Sequence, residues 1–407
     1  MSVVVLLTLG ALVVLNYRIA RDFRYPPVLM SAVWFIIMSI YYLSPLEINT
    51  ISVLTVLIFI STILAFSAGG YLALALPERS PRTGVLGSAP ASRPQVKAAL
   101  LALSVAMLPL MIEKAIQLVS DSGFEVFFVG LRSEVLAEGS RGYGHLGYVP
   151  LLSFFTTFVY AIEPRANRGE KFQYFISFAL SLVYATLTTG RSSFYLVLVV
   201  LAGIHSMQCR LRVRTLLVGA LVFLASFAFL GTAMGKGGDP YASWSDNFSL
   251  IGESLLVYAE GPIPAFDQVV RKDEPLEYGR NTFLGPLNIF RKLAGRPLAS
   301  PIQEEVNVPF PVNVYTGIHP VYRDFGLVGV ILAFAAIGTA SSHFYVKGLA
   351  GDPQYVFYYS LGLFPLLFMV FSDQYFVPMV IWGIYGVAAY LYFRTQKGRV
   401  VTVLQST

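Results

Sequence analysis

The sequence predicts an all-α polytopic membrane protein with about 11 transmembrane helices. Three observations carry this expectation. The first is composition: 407 residues, 56% hydrophobic and 13% charged, with a mean hydropathy of +0.65. A soluble domain carries roughly 25% charged residues. The second is a series of apolar runs, most of them near the length of about 18 residues that crosses a bilayer. The third is the distribution of Lys and Arg, which gather in every second loop as the positive-inside rule requires.

In chain order the apolar runs fall at 2–17, 27–44, 51–76, 97–119, 147–163, 172–189, 192–208, 215–234, 327–346, 354–372 and 376–393. The first run is followed, not preceded, by Arg18, Arg21 and Arg24, so it reads as a retained helix rather than a signal peptide. Those three arginines open a set of basic loops. The set continues through Arg79, Arg82, Arg93 and Lys97, then Arg165, Arg168 and Lys171, then Arg210, Arg212 and Arg214, then Lys347, and ends at Arg394, Lys397 and Arg399. These loops alternate with 45–50, 120–146, 188–191, 235–326 and 373–375. The basic set is expected in the cytoplasm, with the N-terminus out and the C-terminus in. Residues 1–407 read as a single integral membrane domain, without an internal repeat, and 80–96 read as a flexible cytoplasmic linker. The formal net charge of +6 belongs to topology-setting loops, so no nucleic-acid partner is expected.

Two hydrophilic loops, 120–146 and 235–326, fall on the extracytoplasmic side of this scheme. Nucleotide donors are absent there, so any chemistry in them requires a substrate activated before it crossed the membrane. The long loop 235–326 is expected to hold short helices and the active site. It carries eleven Asp and Glu against eight Lys and Arg, so it is not a general anion trap. Yet outer loops normally lack arginine, and here they carry Arg132, Arg141, Arg191, Arg271, Arg280, Arg291, Arg296 and Arg323. A guanidinium binds two phosphate oxygens at once, which suits it to a diphosphate. Arg191, in the tight turn Thr188-Thr-Gly-Arg-Ser-Ser-Phe194, sits near the membrane surface, where an isolated charge is costly. Arg191, Arg280, Arg323, Arg132 and Arg141 are the candidates for anion binding. Arg271, Arg291 and Arg296 fit better as solvated charge or partners of nearby acids.

His319 and Asp324 close the long loop just before the run at 327, where a proton acceptor can meet a sugar hydroxyl. Asp324 also fits a helix cap or a partner for Arg323. Glu253 lies on an amphipathic stretch with Tyr258 and Glu260 and is a further candidate base. Tyr278, Tyr315 and Tyr322 offer faces on which sugars stack, though interfacial aromatic belts use the same residues. Cys209 is the single cysteine, and His145, His205, His319 and His343 lack metal-ligand spacing. No metal or other cofactor is expected.

These features resemble a family, the oligosaccharide repeat-unit polymerases (Wzy-type O-antigen polymerases). The resemblance rests on the turn 188–194, on Tyr258-Ala-Glu-Gly-Pro-Ile-Pro-Ala-Phe266 followed by Gly279-Arg-Asn-Thr-Phe283, and on Asn313-Val-Tyr-Thr316 followed by Asp324-Phe-Gly-Leu-Val-Gly329. It implies a fold similar to the GT-C-type membrane glycosyltransferases, in the inner membrane of a bacterium, with the active site facing the periplasm. It implies a growing glycan on undecaprenyl diphosphate as donor, a second lipid-linked repeat unit as acceptor, and a chain-length regulator as a partner. Arginines, corresponding here to Arg191, Arg280 and Arg132 or Arg323, would carry the charge of the departing diphosphate. Two other readings stay open: an O-antigen ligase that transfers finished glycan to lipid A core, and a flippase or other transporter of lipid-linked oligosaccharide. A transporter would show paired halves and broken, charged spans. Here the runs are nearly free of charge and the polar residues gather in the outer loops, which favours an enzyme.

Overall fold

The computed structural model describes residues 2–45, 50–76, 93–120, 127–136, 142–163, 167–209, 219, 244–272, 274–300 and 303–404; of 244–251 and 395–404 only the backbone is described. The chain is mostly helical. Among the described residues, six helices are long and apolar enough to cross a membrane: Ser2–Ala20, Pro26–Leu43, Val53–Ala75, Pro94–Ser120, Gly144–Ile162 and His319–Leu349. These match six of the expected runs. Four other runs also fall on helices, which are either shorter or more polar. The run at 215–234, apart from Gly219, lies outside the described residues.

Two compact units divide the chain, Met1–Gly84 with Leu255–Leu391, and Val85–Ser254 with Tyr392–Thr407. The first contains α1 (Ser2–Ala20), α2 (Pro26–Leu43) and α3 (Val53–Ala75). The Ser52 hydroxyl starts α3 by accepting from the Thr55 N–H. Asn16, buried in α1, joins these three helices: its amide donates to the Pro27 carbonyl (3.1 Å), Ser31 Oγ (3.2 Å) and Ser67 Oγ (3.2 Å), and its oxygen accepts from the Tyr71 hydroxyl. Between apolar helices in lipid such bonds act as glue, since the alternative is a polar group in hydrocarbon.

The second unit packs α4 (Pro94–Ser120), α5 (Phe127–Leu136), α6 (Val149–Ile162), α7 (Arg168–Leu187) and α8 (Arg191–Gln208). Ser181 on α7 bonds both Ser153 (3.1 Å) and Thr157 (2.8 Å) on α6, and the Tyr184 hydroxyl donates to the Ser104 carbonyl of α4. Lys97 is buried between Glu163 (3.1 Å) and Glu170 (3.6 Å), and the Tyr392 hydroxyl donates to Glu163. The helix α9 (Trp244–Glu260) follows in the chain.

The first unit resumes with α10 (Pro262–Lys272), α11 (Leu284–Leu293) and a two-stranded antiparallel hairpin, β1 (Val306–Asn307) with β2 (Pro311–Val312). Next come α12 (His319–Leu349), α13 (Pro353–Phe368) and α14 (Met379–Leu404), the last of which belongs to this unit as far as Leu391. The apolar part of α12 lies against α3 at very short range. A Cβ on Gly69 would collide with the Ala335 carbonyl, and one on Gly338 with the Phe66 carbonyl. Small residues allow this approach, which substitutes for the hydrophobic drive that lipid cannot supply. Near its start α12 breaks at Gly326, where φ is 62° and ψ −160°, a conformation open to glycine. The break gives the arm His319–Phe325 its own direction, and that arm forms one wall of the cavity described next.

Candidate functional site

Among the described residues of the long hydrophilic segment, short helices and a hairpin surround a cavity of about 610 Å³. Lys272 lines it from α10, Leu284 and Arg291 from α11, and His319 and Arg323 from the arm of α12. Glu274, Glu277, Arg280 and Asn281 line it from the loop joining α10 to α11, Glu304 and Tyr315 from the segments flanking the hairpin, and Val377 from the chain between α13 and α14. Lys272, Arg280, Arg291 and Arg323 thus face Glu274, Glu277 and Glu304, four cations against three carboxylates. In low dielectric surroundings such charges act more strongly than in water.

The scaffold of this cavity is built from long-range bonds. Asp267, buried on α10, accepts from the Ser52 N–H (2.8 Å), Thr55 Oγ1 (2.7 Å) and Arg271 Nε (2.5 Å). This ties α10 to the positive N-terminal end of α3. Burial pushes the Asp267 pKa up, but the hydrogen bonds from Thr55, Ser52 and Arg271 outweigh it and hold the carboxyl below its ordinary range. The hairpin packs on α10 through a cluster of Ala265, Val308, Val312 and Tyr315.

The loop 274–282 is clasped onto the α12 arm. Its backbone N–H groups at Glu277 and Tyr278 donate to the carbonyls of Arg323 (3.1 Å) and Asp324 (3.2 Å). The fully buried Asp324 carboxylate then accepts from Asn281 N (3.1 and 3.2 Å), Asn281 Nδ2 (2.9 Å) and Thr282 N (2.6 Å). Consecutive left-handed residues, Tyr278 (φ 49°) and Gly279 (φ 96°), turn the chain between these two sets of bonds. For a tyrosine this conformation is strained, and the clasp holds it in place.

The two arginines on this clasp differ. Arg323, 15% exposed, is paired with Glu274 (2.8 Å) and Glu277 (2.5 Å). Arg280, 69% exposed, reaches Glu277 at 3.9 Å only. His319 is buried with its ring stacked on Tyr315, centroids 4.6 Å apart. Its Nδ1 has no hydrogen-bond partner among the described residues. The Tyr315 hydroxyl donates to the Glu304 carbonyl at 3.1 Å. Tyr322 packs edge-on to Phe266 with centroids 5.4 Å apart, and Tyr278 is exposed.

The cavity therefore gathers Arg280, Arg323, His319 and Tyr315 from the sequence candidates, with Asp324 as the anchor beneath them. Lys272, Glu274, Glu277 and Glu304 join them without having been site candidates, and Arg291, expected as solvated charge or a partner of nearby acids, lines the cavity as well. Glu277 had a local signal in its spacing of three from Arg280, but its pairing with Arg323 crosses 46 residues and has none. Glu253 is exposed on α9 and is not among the lining residues. Arg141 lies outside the described residues.

Arg132 and Arg191 form a separate constellation in the second unit. The Arg132 guanidinium donates from Nη1 to the Thr189 carbonyl at 3.1 Å, two residues before Arg191 opens α8. The Tyr143 hydroxyl holds the same turn through the Leu187 carbonyl (2.7 Å), and the Thr188 hydroxyl donates to Ser193 Oγ (2.9 Å). Arg132 is thus tied to the turn from which Arg191 opens α8, at a helix end that favours anions.

Among the described residues, no group of three or more His, Cys, Asp or Glu side chains could hold a metal ion. No family model matches the chain, and no solved structure matches it. The chain is similar to a curated protein from Shigella dysenteriae, an O-antigen polymerase, with 29% identity over 269 residues. The match covers 64% of this chain and 65% of that protein's length.

Proposed function

We propose that this membrane protein polymerises oligosaccharide repeat units carried on undecaprenyl diphosphate, building O-antigen or a related surface polysaccharide on the periplasmic face of a bacterial inner membrane. The observation that carries the reading is the polar cavity at the head of α12, where arginines, carboxylates and a buried histidine meet in a chain that is otherwise largely apolar. The similarity to an O-antigen polymerase supports it.

In this reading the acceptor hydroxyl attacks the anomeric carbon of the donor glycan. A new C–O bond forms, the bond from that carbon to the lipid diphosphate breaks, and the diphosphate leaves with the electron pair. His319 is assigned to take the hydroxyl proton by its place in the cavity and its unpartnered Nδ1. Burial and the neighbouring Arg323 lower its pKa to about 3, so it is a weak base unless substrate charge raises it. Glu253 is the second base to test. Arg280 meets the departing charge, joined by Arg323 when substrate draws it from Glu274 and Glu277. A preorganised donor of this kind is worth about 3–4 kcal/mol. Arg191 and Arg132, with Arg141, make up a second diphosphate-binding candidate. Tyr315, Tyr322 and Tyr278 are assigned to the glycan. Asp324 acts on catalysis through the loop it anchors. A chain-length regulator is the protein partner to seek.

The test is reconstitution of the full chain in vesicles with lipid-linked repeat units. A ladder of lipid-linked oligomers is expected. Transfer of preformed glycan to lipid A core, without a ladder, would establish the ligase instead. Movement of lipid-linked units between leaflets without new glycosidic bonds would establish the transporter.

A further inference from the structure

Helix α11 has an apolar face that stands exposed among the described residues. At about 100° per residue, Phe283, Leu287, Phe290 and Leu293 fall on one face roughly 120° wide. All four are exposed, Phe290 at 68% and Leu293 at 80%. The other side of the helix is committed. Leu284 and Arg291 line the polar cavity, and Asn288 exchanges two hydrogen bonds of 2.9 Å with Ala299. Gly285 is pressed to the start of α14, where an added Cβ would lie 3.2 Å from Val380 Cγ2 and 3.3 Å from the Val377 carbonyl.

The position of this helix identifies what covers the stripe. Through Gly285 it touches the end of the apolar segment Met379–Arg394. Through Phe283, packed edge-on to Phe325 with centroids 6.4 Å apart, it touches the residue just before the α12 break. It therefore lies across the ends of two apolar helices, and the ends of membrane-spanning helices fall where hydrocarbon gives way to headgroups. Arg291 and Lys292 end the helix and Arg296 follows it, with Arg291 at the edge of the stripe and Lys292 on the opposite side. An exposed apolar stripe flanked by basic residues is the pattern of a helix lying in a membrane interface, with lysine and arginine heads among anionic phosphates.

We propose that α11 is an interfacial helix: its Phe283–Leu293 stripe inserts beneath the headgroups of the leaflet on the long-loop side, and its basic end engages anionic lipid phosphates. The arrangement opens the polar cavity toward the lipid surface, since Arg291 belongs to both the helix and the cavity wall. The inference does not depend on glycosyl transfer, and its readout needs no substrate.

The experiment uses the full chain with Cys209→Ser, which removes the single native cysteine. Nitroxide labels are attached at Leu287→Cys, Phe290→Cys and Lys292→Cys in turn. Each variant is reconstituted in vesicles of phosphatidylethanolamine and phosphatidylglycerol, and collision with lipid-soluble oxygen is compared with collision with a water-soluble nickel chelate. Oxygen collision should dominate at 287 and 290, and nickel collision at 292. Nickel dominance at all three sites overturns the proposal by placing the stripe in water. Low collision with both at 287 and 290 overturns it in favour of a protein cover, and spin–spin broadening there identifies a second copy of this chain. In the unlabelled protein, Phe290→Trp should add emission that is quenched by lipids brominated near the glycerol. Its absence in a folded variant overturns the proposal independently of any labelling effect.

Discussion

The two walls of the polar cavity handle the same side chain in opposite ways. On the α12 arm, Arg323 is nearly enclosed and matched by two glutamates, so its charge is spent inside the protein. On the facing loop, Arg280 is open to solvent and touches Glu277 only at the limit of an ion pair. One arginine acts as a counter-ion that holds the loop; the other is available to a ligand. A count of arginines in outer loops gives both equal weight. Partners, rather than residue type, separate them, because a carboxylate already in place competes with an arriving phosphate for the same fork of donors.

The largest effect is expected from the residue that joins the two walls. Asp324→Ala removes the acceptor for two backbone N–H groups and a side-chain amide, leaving buried donors unsatisfied at a cost of about 3 kcal/mol or more. Thermal unfolding of the purified protein should shift down clearly, and polymer formation should be lost. Asp324→Asn keeps one acceptor oxygen and should recover part of the shift. An unchanged unfolding midpoint in Asp324→Ala would show that the clasp does not hold the cavity.

The second comparison is direct. Arg280→Ala should lower turnover about a hundred- to a thousandfold while leaving the unfolding midpoint unchanged. Arg323→Ala should move the midpoint, by about 1–2 kcal/mol for a half-buried pair, because it strands Glu274 and Glu277 facing each other. If the two variants behave alike in both assays, the division of labour between the walls is wrong.

Much of this arrangement was visible in the sequence, and the division follows physical range. Apolar runs announce helices because each run satisfies its own backbone and needs no distant partner to be recognised. The run at 327–346 is found as the apolar part of α12, yet the helical turn His319–Phe325 before it was hidden. Its Asp-Phe-Gly reads as a helix start, whereas the glycine is a break inside a longer element. The runs at 172–189 and 354–372 lie on helices, but α7 starts at Arg168 and so takes in Glu170, Lys171 and Gln173 before its apolar part, and the second helix ends at Phe368. In the site, residue types pointed to Arg280, Arg323 and His319, and the structure brings them to one cavity. What they bond to was not legible. Asp324 fits a local cap by its position, yet its carboxylate serves Asn281 and Thr282, more than forty residues earlier. Such pairings depend on the tertiary path of the chain, which no local spacing encodes.

A smaller effect should come from loosening Arg323 without removing it. Glu277→Gln takes away the carboxylate shared by both arginines. The proposed anionic substrate then meets less competition, and KM for the proposed lipid-linked donor should fall several-fold, in line with about 1 kcal/mol for a partly exposed pair. A KM that stays the same or rises would mean that Glu277 orders the arginines for binding rather than competing with substrate.

The smallest expected effect tests a third side of the cavity, the chain between α13 and α14. The Gly317 N–H donates to the Met369 carbonyl at 2.6 Å, and Val377 lines the cavity itself. Asp373 shapes this segment by accepting from the N–H groups of Tyr375 (2.9 Å), Phe376 (3.0 Å) and Val377 (2.8 Å). Burial raises its pKa from 3.8 to about 6, against the lowering effect of those three donors. The folded state therefore favours the protonated acid. Its contribution to stability is fully present below pH 3.8 and is lost as pH rises through about 6. Between these values wild-type stability should fall with rising pH more steeply than that of Asp373→Asn, which carries no titrating group at this position. Measured as unfolding midpoints across that window, equal slopes in the two proteins would show that Asp373 is ionised in the fold. The third side would then resemble the Asp324 anchor, a buried side chain satisfied by backbone donors, and the contrast between open and committed walls would rest on the arginines alone.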